Sequence, residues 1–513
     1  MNTNFKKQLK NHPVYNFVST MKTQKNKLVL AGALLLSFII KAQTPCTVAP
    51  SSDKNYVTTE VLQKEEKVES NLTALKAPDK MTTVQYLDGL GRPLQTIAVN
   101  ASPTLKDNVS FNVYDLVGRE SKVYLPYTSS GCGTYISTPI TPQGTFYSST
   151  ANIETTTSPF AETAFEPSPL NRVTTQGAAG TDWQLANGHT QKFEYGTNAY
   201  QEVRNYVMGN VNTLYYAANT LVQKITKDEN WVLTDLKNGT TEEFTDIEGH
   251  LILSRKYTDN KTFDTYYVYD AFGNLTYVVP PAARAVLVTG PSAATVLDKL
   301  CYQYQYDDEN RITKKKFPGK DWEYTAYDQL DRPVFTQDGN LRLQNKWLFT
   351  KYDAFGKVAY TGIYNSAETL ETLQAMLNEK HSAALVPSGT KYPLYETRIT
   401  TPITIDGKDI YYTNTALPII NTQLLTINYY DNYAFDLDGL TVPGSVYGAT
   451  VSTPSSGMLT GMLTGIKACV MENVLTNTWN TNLNAHDNRA RTIFANTQNR
   501  YTGYTQQNEF QLD

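Results

Sequence analysis

Short segments in which aromatic and polar residues alternate recur along most of the chain, and residues 263–269 are a clear example. Such alternation is expected of a strand that buries one face. An Asp follows each segment, then a Gly or Asn, then a basic or polar residue and the next apolar segment. Asp starts turns because its carboxylate accepts backbone hydrogen bonds, and Gly or Asn tolerates a positive φ. Each unit is therefore predicted to be a β-hairpin.

The unit recurs roughly every 20 to 40 residues, a spacing typical of repeat architectures. Stacked hairpins can share one sheet, with Tyr rings packing across strands. We predict a mainly β fold: an array of antiparallel β-hairpins that forms a curved sheet or partial shell, with one or two short helices. Degenerate copies occupy residues 244–251 and 484–491. The residues assigned to the repeat, all in a structural role, are Tyr86, Asp88, Gly91, Arg92, Tyr114, Asp115, Gly118, Arg119, Tyr269, Asp270, Gly273, Tyr306, Asp307, Arg311, Tyr327, Asp328, Arg332, Tyr352, Asp353 and Gly356.

Two stretches depart from the β pattern. Residues 292–300 and 366–381 place apolar side chains at helical spacing, and Ser366 is a candidate N-cap for the second. We expect both to be helices packed on the sheet. Residues 137–180 are rich in Thr, Ser, Pro and Gly and are predicted to be a weakly regular loop segment.

The N-terminal 42 residues carry lysines and no acidic residue, and residues 28–40 are apolar apart from Ser37. A basic flank, a short apolar run and a small residue at Ala42 indicate a signal peptide cleaved after that position, with Met21 as the functional start. The run is shorter than the about 20 residues of a membrane span, so we expect none after cleavage. The chain is predicted to be exported, to the periplasm, the cell surface or the medium.

Composition and charge argue against some classes of partner and site. The net charge is −4 and there is no basic stripe, so a nucleic-acid partner is not expected. Tyr is abundant, at 36 against 18 Phe and 5 Trp, which favours strands. The four Cys are far apart and lack a Cys-x-x-Cys spacing, so we expect them to be structural or incidental.

The Tyr-Asp-x-x-Gly-Arg unit resembles the repeat of rearrangement-hotspot (RHS) or YD-repeat proteins. Residues 86–94, 165–172 and 183–189 resemble parts of an uncharacterised N-terminal domain that precedes such repeats in Bacteroidetes-type members, and residues 300–304 and 347–353 resemble the array that follows. The resemblance covers nearly all of residues 76–513.

The resemblance implies an exported β-shell, in which hairpins spiral into a closed cocoon around a C-terminal domain that is often a toxin. A core region near the end of such shells cleaves that domain off. This chain ends soon after residues 484–491. We therefore expect a truncated form without the core region or the cargo, and we assign none of the family's self-cleaving carboxylates to it. The sequence leaves open whether so few hairpins close into a shell or make a curved open sheet, whose edges would invite pairing with other chains.

The predicted organisation follows from these features. Residues 1–42 are the signal peptide, 43–75 a polar leader or linker, 76–215 the N-terminal domain of RHS-repeat proteins, 216–362 the repeat array, and 363–513 a helix-containing insertion with degenerate repeats.

The sequence offers little for catalysis, and we predict no catalytic, cofactor-binding or metal-binding residue. No His-Glu-x-x-His or Gly-x-Ser-x-Gly motif occurs. The acidic clusters at 307–309 and 436–438 lie where turns belong, and the second lacks the full ligand loop of a calcium site. The three Gly of 457–465 are expected in turns, because the segment is too short to span a membrane.

These observations predict a non-enzymatic scaffold: the N-terminal part of an RHS shell that in longer relatives encloses or presents an effector. The alternative is a surface carbohydrate-binding or adhesion module, in which exposed Tyr rings stack on sugars. Glycans, other surface proteins or an enclosed effector are the expected classes of partner.

Overall fold

The computed structural model describes residues 46–63, 69–75, 79–206, 214–289, 293–381, 392–471 and 478–512. The predicted signal peptide lies outside these residues. Pro45–Asp513 forms one unit by its internal contacts. Within the described residues, no helix is both long and apolar enough to cross a membrane.

Strands dominate the described residues, and the helices are short. The helices are α1 (Ile140–Ser149), α2 (Pro281–Thr289), α3 (Ala293–Leu300), α4 (Gly339–Leu343) and α5 (Leu370–His381). Single 3-10 turns occupy Glu69–Ala74, Thr181–Trp183, Leu185–Asn187, Leu233–Asp235 and Pro454–Ser456. The strands are β1 (Asn55–Leu62), β2 (Lys80–Leu87), β3 (Pro93–Val99), β4 (Asp107–Val113), β5 (Lys122–Tyr124), β6 (Tyr127–Ser129), β7 (Phe160–Phe165), β8 (Val173–Gly177), β9 (Gln191–Thr197), β10 (Val222–Lys227), β11 (Thr240–Thr245), β12 (Leu251–Thr258), β13 (Lys261–Tyr269), β14 (Leu275–Val279), β15 (Tyr302–Tyr306), β16 (Ile312–Lys316), β17 (Glu323–Tyr327), β18 (Pro333–Gln337), β19 (Lys346–Tyr352), β20 (Val358–Asn365), β21 (Arg398–Ile405), β22 (Lys408–Tyr412), β23 (Thr422–Tyr430), β24 (Ser445–Val446), β25 (Ala449–Thr450), β26 (Leu463–Cys469), β27 (Trp479–His486), β28 (Thr492–Asn499) and β29 (Tyr504–Glu509).

The strands form one large antiparallel sheet, as the hairpin pattern predicts, together with two small sheets, β21–β22 and β24–β25. Strands that follow one another in the chain are neighbours in the large sheet almost throughout, apart from a branch at β4, which pairs with both β5 and β6. The sheet does not close: β1 pairs only with β2, and β29 only with β28, among the described residues. Both edge strands are exposed along nearly their whole length.

The core has three clusters of buried apolar side chains. One surrounds Val84, Ile97 and Phe111, the next surrounds Phe244 and Tyr266, and the largest joins Trp347, Leu373 and Leu483. A domain boundary is predicted at residue 362, but the largest cluster contains residues from both sides of it. Helix α5, after the boundary, packs onto the last strands of the repeat array, before it. That position is therefore not a break in packing.

The helix predictions agree with α3 and α5, but details differ. The amide of Thr372 donates to the hydroxyl of Thr369, so Thr369 caps α5 and Ser366 precedes it. The segment 137–180 contains α1, β7 and β8, where a loop is predicted. Residues 43–75 contribute β1 to the sheet, where a leader is predicted, because residues 55–62 pair along their full length with β2. A Cys46–Cys132 disulfide also joins this segment to the sheet.

Candidate functional site

One aspartate holds each repeat turn together. At the first turn, Asp88 Oδ1 accepts hydrogen bonds from the amides of Leu90 (2.8 Å) and Arg92 (2.9 Å), and Oδ2 accepts from Arg92 Nε (2.7 Å). The amide of Arg92 makes the largest contribution that lowers the pKa of Asp88, because it favours the ionised carboxylate. The same pair of amide contacts recurs at Asp115, Asp246, Asp270, Asp307, Asp328, Asp353 and Asp487.

The fourth residue of each turn has a left-handed backbone. Its amide donates to the carbonyl of the aspartate, which closes the turn at 3.1 Å for Gly356. The φ of Gly356 is 79°, a conformation in which a Cβ is disfavoured. Asn310, Asp331 and Ala490 adopt the same conformation at their turns, with φ of 58–60°.

A tyrosine joins most of the turns to the turn before it. The hydroxyl of Tyr352 donates to the carbonyl of Pro333 at 2.8 Å, and the guanidinium of Arg332 lies 4.4 Å from the centre of the Tyr352 ring. Arg332 also bonds to Asp328 of its own turn, so one arginine closes its own turn and covers the next tyrosine. We call this arrangement the inter-repeat link. The same hydroxyl-to-carbonyl bond joins Tyr114 to Pro93, Tyr195 to Val173, Tyr269 to Leu251, Tyr306 to Leu275, Tyr327 to Ile312 and Tyr430 to Val358.

Tyr86, the first aromatic residue assigned to the repeat, does not take part in an inter-repeat link. Tyr86 is one residue earlier than the link position, which Leu87 occupies, so its side chain points to the opposite face of β2. It is buried, and its hydroxyl donates to the carbonyl of Gly133 at 2.6 Å. Phe244 is displaced in the same way and is also buried. All other tyrosines assigned to the repeat occupy the link position.

Three repeats depart from the regular turn, and only the third, the degenerate copy at 484–491, is recognised from the sequence pattern. The turn that begins at Glu166 is two residues longer, and Arg172 bonds to the Glu166 carboxylate there. Tyr430 and Asp431 begin a turn whose two ends are separated by residues 432–461, and it closes through the amide of Asp431 and the carbonyl of Met462. His486 takes the tyrosine position of the next repeat, with Nε2 3.0 Å from the carbonyl of Leu463. The Tyr-Asp dipeptide at 430–431 was the available signal, but its Gly-Arg partner is absent from the next residues.

The turns lie along the side of the sheet that is formed by the ends of the strands. They share this side because antiparallel neighbours are connected alternately at one end and at the other. Their tips expose large apolar side chains; Phe272 is 83% exposed and Phe355 80%. We call these tips the turn edge. Its other exposed apolar residues are Leu90, Leu116, Val117, Leu170, Ile247 and Leu330.

Two groups of acidic side chains are candidates for metal binding. In the turn at Asp246, ligand atoms of Asp246, Glu248 and His250 lie within 4.8 Å of one another, beside a cavity of about 400 Å³. His250 already has a structural part there, since its Nδ1 lies 3.0 Å from Asp246 Oδ2 and its ring stacks on Tyr269. His250 therefore replaces the arginine of the inter-repeat link.

The second acidic group contains Asp436 and Asp438, considered above as a calcium site. Lys467, fully buried, places Nζ 3.0 Å from Asp436 and 2.6 Å from Asp438. Burial opposes ionisation of Asp436, but the amide of Asp438 and the ammonium of Lys467 outweigh it and lower the pKa of Asp436. The carboxylates thus have a cation from the chain itself.

Known proteins share limited similarity with this chain. A family model described as a domain of unknown function (DUF6443) matches residues 58–197, less than half of the chain. No curated protein matches. Among solved structures, TcdB2-TccC3 without its hypervariable C-terminal region is 13% identical over 84% of this chain and 19% of its own, with a TM-score of 0.37. The Tc holotoxin pore of Photorhabdus luminescens is 13% identical over 85% of this chain and 21% of its own, with a TM-score of 0.39. The chain thus spans about a fifth of these structures.

Proposed function

We propose that this chain is an exported, non-enzymatic scaffold of the RHS/YD-repeat type. It corresponds to the N-terminal part of a shell that encloses or presents an effector. The observation that carries the proposal is the inter-repeat link. Aspartates, arginines and tyrosines recur along the chain, and their polar groups form hydrogen bonds with one another and with the backbone. The repeat therefore builds a sheet rather than a reactive centre.

The edges of the sheet supply the surfaces that a scaffold needs. Strands β1 and β29 leave one side without a neighbour among the described residues, and unpaired edges accept further strands. The exposed apolar residues of the turn edge form a second row of attachment points. Export is supported by the Cys46–Cys132 disulfide, since such bonds persist mainly in oxidising compartments.

A reporter fusion tests export and presentation together. A small enzyme joined after Asp513 of the full chain is expected to be active outside the cytoplasm, and the same fusion without residues 1–42 is expected to remain inside. Protease added to intact cells separates presentation, in which the reporter is cleaved, from enclosure, in which it survives. A reporter that stays cytoplasmic with the full chain would contradict export.

Carbohydrate binding has less support, because the link tyrosines are bonded through their hydroxyls and basic side chains lie over most of their rings, as Arg332 does over Tyr352. On a glycan array the scaffold proposal expects no saturable binding. Saturable binding that is lost in Phe272→Ser/Phe355→Ser would favour the adhesion module instead. Leu233→Ser is the matched control, because Leu233 is equally exposed but lies away from the turn edge. Turnover of any substrate in a panel of glycosides, esters and peptides would refute the non-enzymatic role.

A further inference from the structure

A buried group of polar side chains lies beneath the last regular turn, on the face of β19 opposite the inter-repeat link. Lys351 is 2% exposed and Glu396 is fully buried. Lys351 Nζ lies 2.9 Å from Glu396 Oε1, 3.2 Å from the hydroxyl of Tyr360 and 2.5 Å from Oδ1 of Asn414. A lysine, a carboxylate and a carboxamide thus meet in one place, although they come from three separate parts of the chain.

We propose that Lys351 and Asn414 join through an intramolecular isopeptide bond, with Glu396 as the catalytic proton carrier. This goes beyond the scaffold function, since it assigns the chain a self-modifying step. The nearest approach supports the reaction: a C=O bond is about 1.23 Å long, so Asn414 Cγ lies within about 3.7 Å of Lys351 Nζ. Reacting atoms about 3–3.5 Å apart are positioned for attack.

The surroundings supply the nucleophile. Burial lowers the pKa of Lys351 to about 8, against the opposing effect of Glu396, so the neutral amine is accessible. A desolvated neutral lysine amine is an effective nucleophile. Glu396 is the group that receives the lysine proton, because its Oε1 is the carboxylate oxygen in contact with Nζ.

The rest of the group fixes the geometry. Glu396 accepts hydrogen bonds from the amides of Thr415 (3.0 Å) and Ala416 (3.0 Å). The hydroxyl of Tyr360 lies 3.3 Å from Asn414 Oδ1, where it can stabilise the oxygen as negative charge develops. Asn414 Nδ2 donates to the carbonyl of Ile419 at 3.2 Å, which fixes the orientation of the carboxamide.

The reaction balances without any added reagent. The Lys351 ammonium first gives a proton to Glu396. The Nζ lone pair then forms a bond to Asn414 Cγ while the carbonyl π electrons move to Oδ1. Glu396 relays a proton from Nζ to Nδ2, the Cγ–Nδ2 bond breaks as the carbonyl re-forms, and the nitrogen leaves as ammonia. The proton first taken up by Glu396 departs with it as ammonium, and one secondary amide remains.

Mass spectrometry of the purified full chain tests the proposal. The expected intact mass is about 17 Da, the mass of one ammonia, below that of the processed chain with its Cys46–Cys132 disulfide. Trypsin should fail to cut after Lys351 and should yield a branched peptide that joins residues 347–357 to residues 409–467. This peptide separates the cross-link from ammonia loss at an N-terminal Gln43 or within Asn414 alone, both of which leave the peptides linear.

Variants then separate chemistry from folding. Lys351→Met and Asn414→Ala are expected to show their own sequence masses, without the loss. Glu396→Gln keeps the shape of the side chain but cannot carry the proton, so the branched peptide should disappear while β-sheet circular dichroism persists. If a variant does not fold, the wild-type digest still decides. Recovery of residues 347–351 as a free tryptic peptide from the wild-type chain would overturn the proposal.

Discussion

Two parts of the sheet use the same inter-repeat link but connect their strands differently. In residues 246–357, the regular region, each repeat turn runs from Asp to a basic or polar residue four positions later. In residues 358–491, the interrupted region, Tyr430 still donates to Val358 and His486 still contacts Leu463, although residues 432–461 lie inside one turn. The link is therefore a property of neighbouring strands and does not need a short turn.

The interrupted region contains two inserted segments, residues 366–421 between β20 and β23 and residues 432–461 between β23 and β26, and their contacts show what such segments add to the fold. Lengthening a loop costs little entropy, roughly 0.6 kcal/mol for each doubling. In return, the inserted segments contribute buried side chains such as Leu373, Tyr412 and Phe435 to the largest core cluster. They also bury Lys351 and Lys467, each of which needs a partner from an insertion. Regular turns supply repeated local contacts, and insertions supply a core and buried charge.

The largest effect should come from removing the core that the insertion brings. Leu373→Ala is expected to lower the free energy of unfolding by about 2–5 kcal/mol, because this fully buried side chain leaves a cavity against the sheet. Urea unfolding followed by tryptophan fluorescence measures the change. Leu343→Ala, in exposed α4 of the regular region, is the control and should change it by no more than about 0.5 kcal/mol. Equal effects would mean that the insertion is peripheral.

A turn carboxylate should matter more in the regular region. Asp328→Ala is expected to cost about 1–3 kcal/mol, because two amides and the guanidinium of Arg332 lose their acceptor. Asp431→Ala removes one amide contact, from Gly461 at 2.5 Å, and should cost about 1 kcal/mol. The midpoints of urea unfolding compare the two. A larger loss at Asp431 would show that the long turn depends on its aspartate as heavily as a short one.

The fourth turn position gives a reciprocal test across the two regions. Gly356→Ala is expected to destabilise by about 1–2 kcal/mol, since φ is 79° there. Ala490→Gly should stabilise by about 1 kcal/mol, because Ala490 already pays for the same conformation at φ 59°. Thermal unfolding of both variants measures the signs. A loss of stability in Ala490→Gly would show that the interrupted region gains more from a restricted unfolded chain than it loses in strain.

The regular region could be predicted from sequence because its information is local. Alternation fixes the strands, and Asp followed by Gly or Asn fixes the turn, as at Asp270 and Gly273. The same local pattern misplaces Tyr86. It pairs an aromatic residue with a following Asp, but it does not show whether the aromatic residue or the next residue occupies the link position. The opposite face of the strand decides it, and only the core packing shows which face that is.

The interrupted region could not be predicted because its information is distant. Residues 432–461 separate Asp431 from Met462, whose carbonyl closes the turn, and Cys46 pairs with Cys132, 86 residues further along the chain. The Lys351, Glu396 and Asn414 group has no motif, since Lys351 comes from β19 and the other two residues lie on either side of the β21–β22 hairpin. The sequence shows each residue, but the tertiary fold alone brings them together.

The smallest expected effect is also the most direct comparison of the two regions. Tyr352→Phe and Tyr430→Phe each remove one hydroxyl-to-carbonyl bond, at 2.8 and 3.2 Å, and leave the ring under its basic neighbour. A neutral hydrogen bond contributes about 0.5–1.5 kcal/mol, so both variants should lose a similar amount in urea unfolding. Tyr504→Phe, on the exposed edge strand β29, is the control and should be neutral. If Tyr430→Phe is also neutral while Tyr352→Phe is not, the insertion has replaced the link as the contact that joins β23 to β20. Equal losses mean that the link holds neighbouring strands together whatever the length of the turn between them.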